Sequence, residues 1–344
     1  KVIGKMIHNF LNDPVANDLC LFIVEVNYFS ALKIQFCIFH AFQFFLERFY
    51  SGSELALWQA NTVQSALEKL GHKTELVPVK STGDLNLDQP LYEMGITGIF
   101  TKTLDFAMLT NKIDIAVHSM KDVPTALPKG IVEAAILKRA NSKDLLVHKG
   151  IDFLESKGTI ATGSLRRKAQ WLSKYPQHLV VDLRGNVNTR MKKLEENRWD
   201  GAIFAAAGLE RINLTPENFL TLDWMLPAPA QGAMLVVAKE EDEFCRKTLS
   251  ALNHIESEIC VHTEREFLKT LEGGCTAPIG ALAEIRDGIL YFKGGLYSLD
   301  GIQKFEIERA VSADSTEGFG KKCAEEILKN GGAELMKKIR KVLK

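Results

Sequence analysis

The chain has no CxxC pair, no charge-free apolar run long enough to cross a membrane, and no excess of either charge sign. Its six cysteines, Cys20, Cys37, Cys245, Cys260, Cys275 and Cys323, are scattered over 344 residues. Such spacing supports neither a disulfide framework nor a zinc site, and it fits a reducing compartment. Lys+Arg and Asp+Glu are equal at 43 each. No global basic field therefore draws the chain to nucleic acid or to a membrane surface, and an anion site must be a local cluster. The longest charge-free apolar stretch, 34–46, is thirteen residues, short of the roughly 18–20 that a span requires.

What is present is an ordinary globular mixture, 46% hydrophobic and 25% charged, in a length that predicts two or three domains. Residues 1–50 stand apart: nine of the 19 Phe lie there. Asp13, Asp18 and Glu25 interrupt the place where a signal peptide would be apolar, and Arg and Ser are too scarce for a transit peptide. The segment reads as a misassigned start or a foreign insertion.

The remainder alternates between helical and strand patterns. Ala56, Ala60, Val63, Leu67 and Leu70 follow helical spacing. The spacing predicts strands at 74–79, 113–117, 159–162, 179–183 and 202–206, and helices at 103–111, 164–174 and from 187 onward. These alternations predict parallel sheets with covering helices. Pro227, Pro229 and Gly232 break the pattern between two strands, which predicts an interdomain crossing. A helix at 257–271, three β-rich runs at 279–285, 289–297 and 304–311, and helices at 316–329 and 333–343 predict a small α+β domain at the end.

In open α/β sheets, active groups gather beyond the strand ends. His118-Ser119-Met120-Lys121-Asp122 follows one predicted strand. Ser164-Leu165-Arg166-Arg167 opens a helix, where free backbone N–H groups favour an anion. Arg184 and Arg190 flank the next turn, and Arg211 follows another strand. A single such Arg reads as a solvated surface residue. Five at equivalent positions read as a polycarboxylate cradle, because guanidinium binds carboxylate through a two-pronged fork. Asp122 has the wrong sign for that cradle unless it meets a cationic centre or N–H donors, and taken alone it could be a helix cap. Cys275 sits in Glu272-Gly273-Gly274-Cys275-Thr276-Ala277-Pro278, a loop that presents a thiol. An isolated cysteine would otherwise read as a small buried hydrophobe.

Together these segments, with Ser53-Glu54-Leu55-Ala56-Leu57-Trp58-Gln59-Ala60, Asp114 to Pro124, Asp182-Leu183-Arg184-Gly185-Asn186-Val187-Asn188-Thr189-Arg190 and Leu271 to Cys275, closely resemble the porphobilinogen deaminase family from about Ser51 to Lys344. The resemblance implies an α/β fold of two periplasmic-binding-protein-like lobes with a cleft between them, plus a small α+β C-terminal domain. The expected division is 51–138 with 231–252, then 139–230, then 253–344, with 1–50 lacking a counterpart. It implies a dipyrromethane cofactor joined by a thioether to Cys275, and the addition of four porphobilinogen molecules with loss of ammonia to give hydroxymethylbilane. Asp122 is then the catalytic acid, meeting the cationic azafulvene and the pyrrole N–H groups. Arg166, Arg167, Arg184, Lys121, Ser164, Ser119 and Ser53 fall to the cofactor, and Arg190 and Arg211 to the substrate. No metal is expected. The resemblance further implies a monomer acting on a small molecule; the absent targeting signal predicts a cytoplasmic chain, and the balanced charge predicts no nucleic-acid or membrane partner.

Two departures from the family pattern matter. Ser51 stands where the family has an active-site Arg, which removes a charge-assisted contact worth roughly 1.5–3 kcal/mol. The family's first strand is unrecognisable, and Lys is missing near Glu93 and Thr97. An inactive or unstable relative and a non-enzymatic carboxylate-binding protein are the alternative expectations.

Overall fold

The computed structural model describes residues 21–26, 53–79, 101–271 and 277–343. Ser51, Glu93, Thr97 and Cys275 lie outside them. Strand β1 (Leu21–Val26) is followed by helix α1 (Glu54–Lys69), β2 (Thr74–Val79), α2 (Lys102–Leu109), β3 (Ile115–Ser119) and β4 (Ile131–Ile136). The chain then crosses into β5 (Asp144–His148), β6 (Thr159–Ala161), α3 (Leu165–Lys174), β7 (Leu179–Val181), α4 (Val187–Glu196), β8 (Gly201–Ala205), α5 (Ala206–Arg211) and β9 (Phe219–Thr221). It returns as β10 (Met234–Lys239) and continues into α6 (Glu243–Ser250) and α7 (Ile255–Thr270). Strands β11 (Ile279–Arg286), β12 (Ile289–Tyr297) and β13 (Lys304–Ser312) and helices α8 (Phe319–Ile327) and α9 (Ala333–Val342) complete it.

Three sheets result, ordered β2-β1-β3-β10-β4, β7-β6-β8-β5-β9 and β11-β12-β13. The expectation of parallel sheets is corrected. Every described pair in the first sheet is antiparallel. In the second, β6 pairs in parallel with β7 and β8, while β5 runs against β8 and β9. The two crossings explain much of this, since each delivers a strand (β5 outward, β10 on return) that enters its sheet against its neighbours. Helical and strand periods in the sequence do not encode that direction.

A strand ahead of Ser51 is also present, contrary to expectation. β1 lies between β2 and β3, with Leu21 opposite Val79, Val26 opposite Thr74 and Ile23 opposite Ala116. It supplies ladder partners that β2 and β3 would otherwise lack.

Ser53 caps α1 by accepting from the Ala56 N–H (3.3 Å), and Asn186 caps α4 by accepting from the Thr189 N–H (2.9 Å). Ala60, Val63 and Leu67 face the first sheet as their spacing predicts, but Leu70 lies past the helix end and is 47% exposed. No described helix is long and apolar enough to cross a membrane.

The crossings are pressed together. The Ala140 N–H donates to the Gly232 carbonyl at 3.1 Å. Gly232 has φ +86°, and a Cβ there would stand 2.7 Å from the Ala140 oxygen. Beside them Glu264 of α7, fully buried, accepts from Arg139 (Nη1 2.6 Å, Nη2 3.1 Å) and from the backbone N–H groups of Ala230 and Ala283 (2.7 and 2.6 Å). One carboxylate thus ties the outward crossing, the return crossing and β11.

The third sheet reaches the second through the turn after β12. Gly301 there has φ +75°, and a Cβ would stand 2.4 Å from the Ala169 oxygen on α3. Gly301→Ala should therefore destabilise the protein by about 2–4 kcal/mol, from left-handed strain and overpacking together. Denaturant unfolding checks this, and a loss below about 0.5 kcal/mol would show that the turn yields.

Candidate active site

The ends of several elements converge on the space between the first two sheets. Asn188 Nδ2, in the first turn of α4, donates to the Glu54 carboxylate in the first turn of α1 (2.9 Å). A Cβ on Gly208 of α5 would meet Leu55 and Val187 at 3.8 Å. On one side, β3 ends at Ser119, whose Oγ accepts from Gln59 Nε2 (2.9 Å), and runs into a one-turn 3-10 helix, Met120–Asp122. Lys121 is half-buried there and Asp122 is exposed. On the other side, Ser164 caps α3 by accepting from the Arg167 N–H (3.4 Å).

Arg166 and Arg167, which the sequence assigned to a ligand, are buried and share one carboxylate that the sequence reading missed. Asp144 is inaccessible to solvent. It accepts from Arg166 Nη1 (2.8 Å), from Arg167 Nε and Nη2 (3.1 and 2.7 Å) and from Gln231 Nε2 (2.9 Å). Burial alone would push this carboxyl up, but the two guanidiniums hold it well below the usual carboxylate range. Arg167 Nη1 also donates to the Ile203 carbonyl (2.8 Å) and Arg166 Nη1 to that of Leu226 (2.5 Å). Both arginines are therefore partly structural.

The remaining cations feel one another. Burial lowers Lys121 to about 8, opposed by Asp122 and aided by Arg167. Burial lowers Arg190 to about 10, aided by Arg167 and Arg184 and opposed by Asp122. Arg190 Nε donates to the Gly185 carbonyl (2.6 Å), which aims the guanidinium back along its own turn. Arg211 lies to the side: it donates to the Gly232 carbonyl (2.7 Å), and its guanidinium carbon sits 5.5 Å from the Trp58 ring centre. Lys121, Asp122, Arg166, Arg167, Arg184 and Arg190 thus form one electrostatic group in which cations outnumber carboxylates.

That group fits a polyanionic occupant. Among the described residues, Arg166 Nε is buried without a hydrogen-bond partner, a costly state for a charged donor. Burial depresses Lys121 and Arg190, and the Arg167 guanidinium adds like-charge repulsion at both. Bound carboxylates would relieve both conditions.

His118, buried at the end of β3, is pushed down to about 4 by burial. Its folded value lies below the unfolded value of about 6.5, so the unfolded chain takes up the proton first as pH falls. Stability should decline from pH about 6.5 toward 4, by up to about 3 kcal/mol from this group. Urea midpoints at pH 7 and pH 4.5 measure it, and His118→Gln should flatten the difference.

Two family models match the chain. One, described as the porphobilinogen deaminase dipyromethane cofactor binding domain, covers residues 51–247, and the other, the porphobilinogen deaminase C-terminal domain, covers 258–329. The porphobilinogen deaminase of Syntrophomonas wolfei is 41% identical over 84% of this chain and 97% of its own length. The chain belongs to the porphobilinogen deaminase family. The porphobilinogen deaminase of Chloroherpeton thalassium is 39% identical over 84% of this chain and 95% of its own. Among solved structures, the substrate binding protein of an amino acid ABC transporter matches at 14% identity over 57% of this chain and 79% of that one, with a TM-score of 0.30; that likeness is slight.

The first family model begins at residue 51, so residues 1–50, β1 included, precede the porphobilinogen deaminase match. Asp144 and Glu264 left faint sequence signals. Asp144 opens the apolar run Leu145-Leu146-Val147. Glu264 occupies a core position in the helical stripe Cys260, Glu264, Phe267, Leu268 and Leu271.

Proposed function

We propose that this chain is a transferase that joins four porphobilinogen molecules head to tail, with loss of ammonia, and releases hydroxymethylbilane. The observation that carries this reading is a cluster of buried and half-buried cations around one exposed carboxylate, Asp122, in a porphobilinogen deaminase. A dipyrromethane held by a thioether to Cys275 supplies, when bound, the pyrrole terminus on which the product is built.

Arg166, Arg167, Arg184 and Lys121 hold its carboxylates, with Ser53, Ser119 and Ser164 as polar contacts at the ends of α1, β3 and α3. Arg190 and Arg211 take the carboxylates of incoming porphobilinogen. Because Asp144 already neutralises part of the charge on Arg166 and Arg167, Lys121, Arg184 and Arg190 carry more of the ligand's charge. Asp122 faces the positive charge that develops on porphobilinogen as ammonia departs, and its carboxylate accepts and returns protons there. The reading includes a cytoplasmic monomer divided at 51–138 with 231–252, 139–230 and 253–344.

Ser51 in place of the family's Arg favours a second reading, a folded relative without turnover. Intact-protein mass spectrometry of the purified chain with porphobilinogen, alongside an ammonia assay, separates the two. A covalent increment the size of two pyrroles, absent from Cys275→Ala, together with ammonia release, is the expected result. An unmodified mass without ammonia release would overturn it.

A further inference from the structure

Arg265 of α7 is buried, and its guanidinium reaches across to the first sheet. Nη1 donates to the carbonyls of Met120 (3.2 Å) and Val123 (3.0 Å), and Nη2 donates to that of Pro124 (2.6 Å). These three carbonyls bracket Lys121 and Asp122 in sequence. The same turn is closed by the Val123 N–H on the Met120 oxygen (3.2 Å) and is fixed to the return crossing by the Met120 N–H on Ala233 (3.1 Å). The backbone that carries Asp122 is thus held from the sheet side and from α7, while its side chain stays exposed.

α7 does two further things. Its neighbouring residue, Glu264, binds both crossings and β11. Its C-terminal end leads directly into the segment that carries Cys275. One helix therefore links the turn of the acid to the approach of the cysteine. A charged side chain committed to neutral carbonyls on a turn of another sheet is a strong, directional tie.

We propose that Arg265 is a positioning residue for Asp122: by gripping the carbonyls of Met120, Val123 and Pro124, it sets where the Asp122 carboxylate stands against the substrate. This rests on the transferase reading above. A shift of about 1 Å at a reacting group lowers turnover on the order of 100-fold, so the grip matters for rate more than for substrate affinity.

The test is a double-mutant cycle in the full, cofactor-loaded chain, using Arg265→Met, Arg265→Lys and Asp122→Asn, singly and combined. Arg265→Met should lower kcat for porphobilinogen on the order of 10- to 100-fold with KM changed by less than about threefold. Arg265→Lys, which keeps the charge and some of the bonds, should recover part of it. Added to Asp122→Asn, Arg265→Met should cost less than about threefold more, because what it positions is gone. Hydrogen exchange, read independently of activity, should rise in 119–124 and not in β11–β13. Unchanged kcat, or effects that multiply in the double variant, would reduce Arg265 to a tie between sheets and overturn the proposal. If Arg265→Met does not fold, the same cycle with Arg265→Lys decides. Absence of ammonia release by the unsubstituted chain would instead overturn the transferase reading itself.

Discussion

Asp144→Asn is expected to destabilise the protein by about 3–5 kcal/mol, the cost of leaving buried charges without their partner. The amide keeps the shape of the carboxylate but cannot offset Arg166 and Arg167, which are 4% and 5% exposed. It also presents two hydrogens toward guanidinium groups that themselves only donate. The exposed pair Lys143–Asp223, whose lysine adjoins Asp144 in sequence, is the internal control, since breaking such a surface pair costs about 0–1 kcal/mol. Denaturant unfolding of Asp144→Asn and Asp223→Asn side by side provides the comparison. Equal losses would mean that the buried triad relaxes or admits water. A triple replacement of Asp144, Arg166 and Arg167 by apolar residues should be less damaging to stability than Asp144→Asn, because no charge is then stranded. It should nevertheless abolish turnover, because the cleft loses two cations.

Asp122→Asn has the opposite profile. Asp122 is exposed on a one-turn helix, so stability should change by no more than about 0.5 kcal/mol. Turnover should fall about 10²- to 10⁴-fold, the range for loss of a positioned acid–base group, with KM for porphobilinogen nearly unchanged. Asn keeps the size and polarity but neither offsets a developing positive charge nor takes a proton. Steady-state ammonia release separates the two parameters. A rise in KM at constant kcat would instead place Asp122 among the substrate contacts. Asp144→Asn thus tests what holds the cations in place, and Asp122→Asn tests what those cations surround.

The local patterns were legible because they depend on neighbours in sequence. The helix start at Ser164, the apolar stripe of α1 and the three β-rich runs near the C-terminus follow from spacing and turn chemistry, whereas the caps at Ser53 and Asn186 emerged only in the structure. The motif at Asp114 to Pro124 and the Arg-rich turns carried the family resemblance, and the family match covers the same stretch. Sequence also placed the cationic residues at strand ends. It assigned all five arginines alike to a ligand, because an Arg beside a strand gives no sign of which acid stands opposite it.

What only the tertiary structure decided is the set of long-range pairings. Asp144 of β5 meets Arg166 and Arg167 of α3, and Glu264 meets Arg139 from 125 positions away. Arg265 reaches Met120 across 145 positions. β1 and β10 enter the first sheet against their neighbours. Helical and strand periods report which face of an element is buried, and they are silent about which element covers it and in which direction that element runs. Charged groups become structural or functional according to that covering, so the sequence alone determined the family and the local elements, and the packing of α7 and the two crossings decided which charges are left to act.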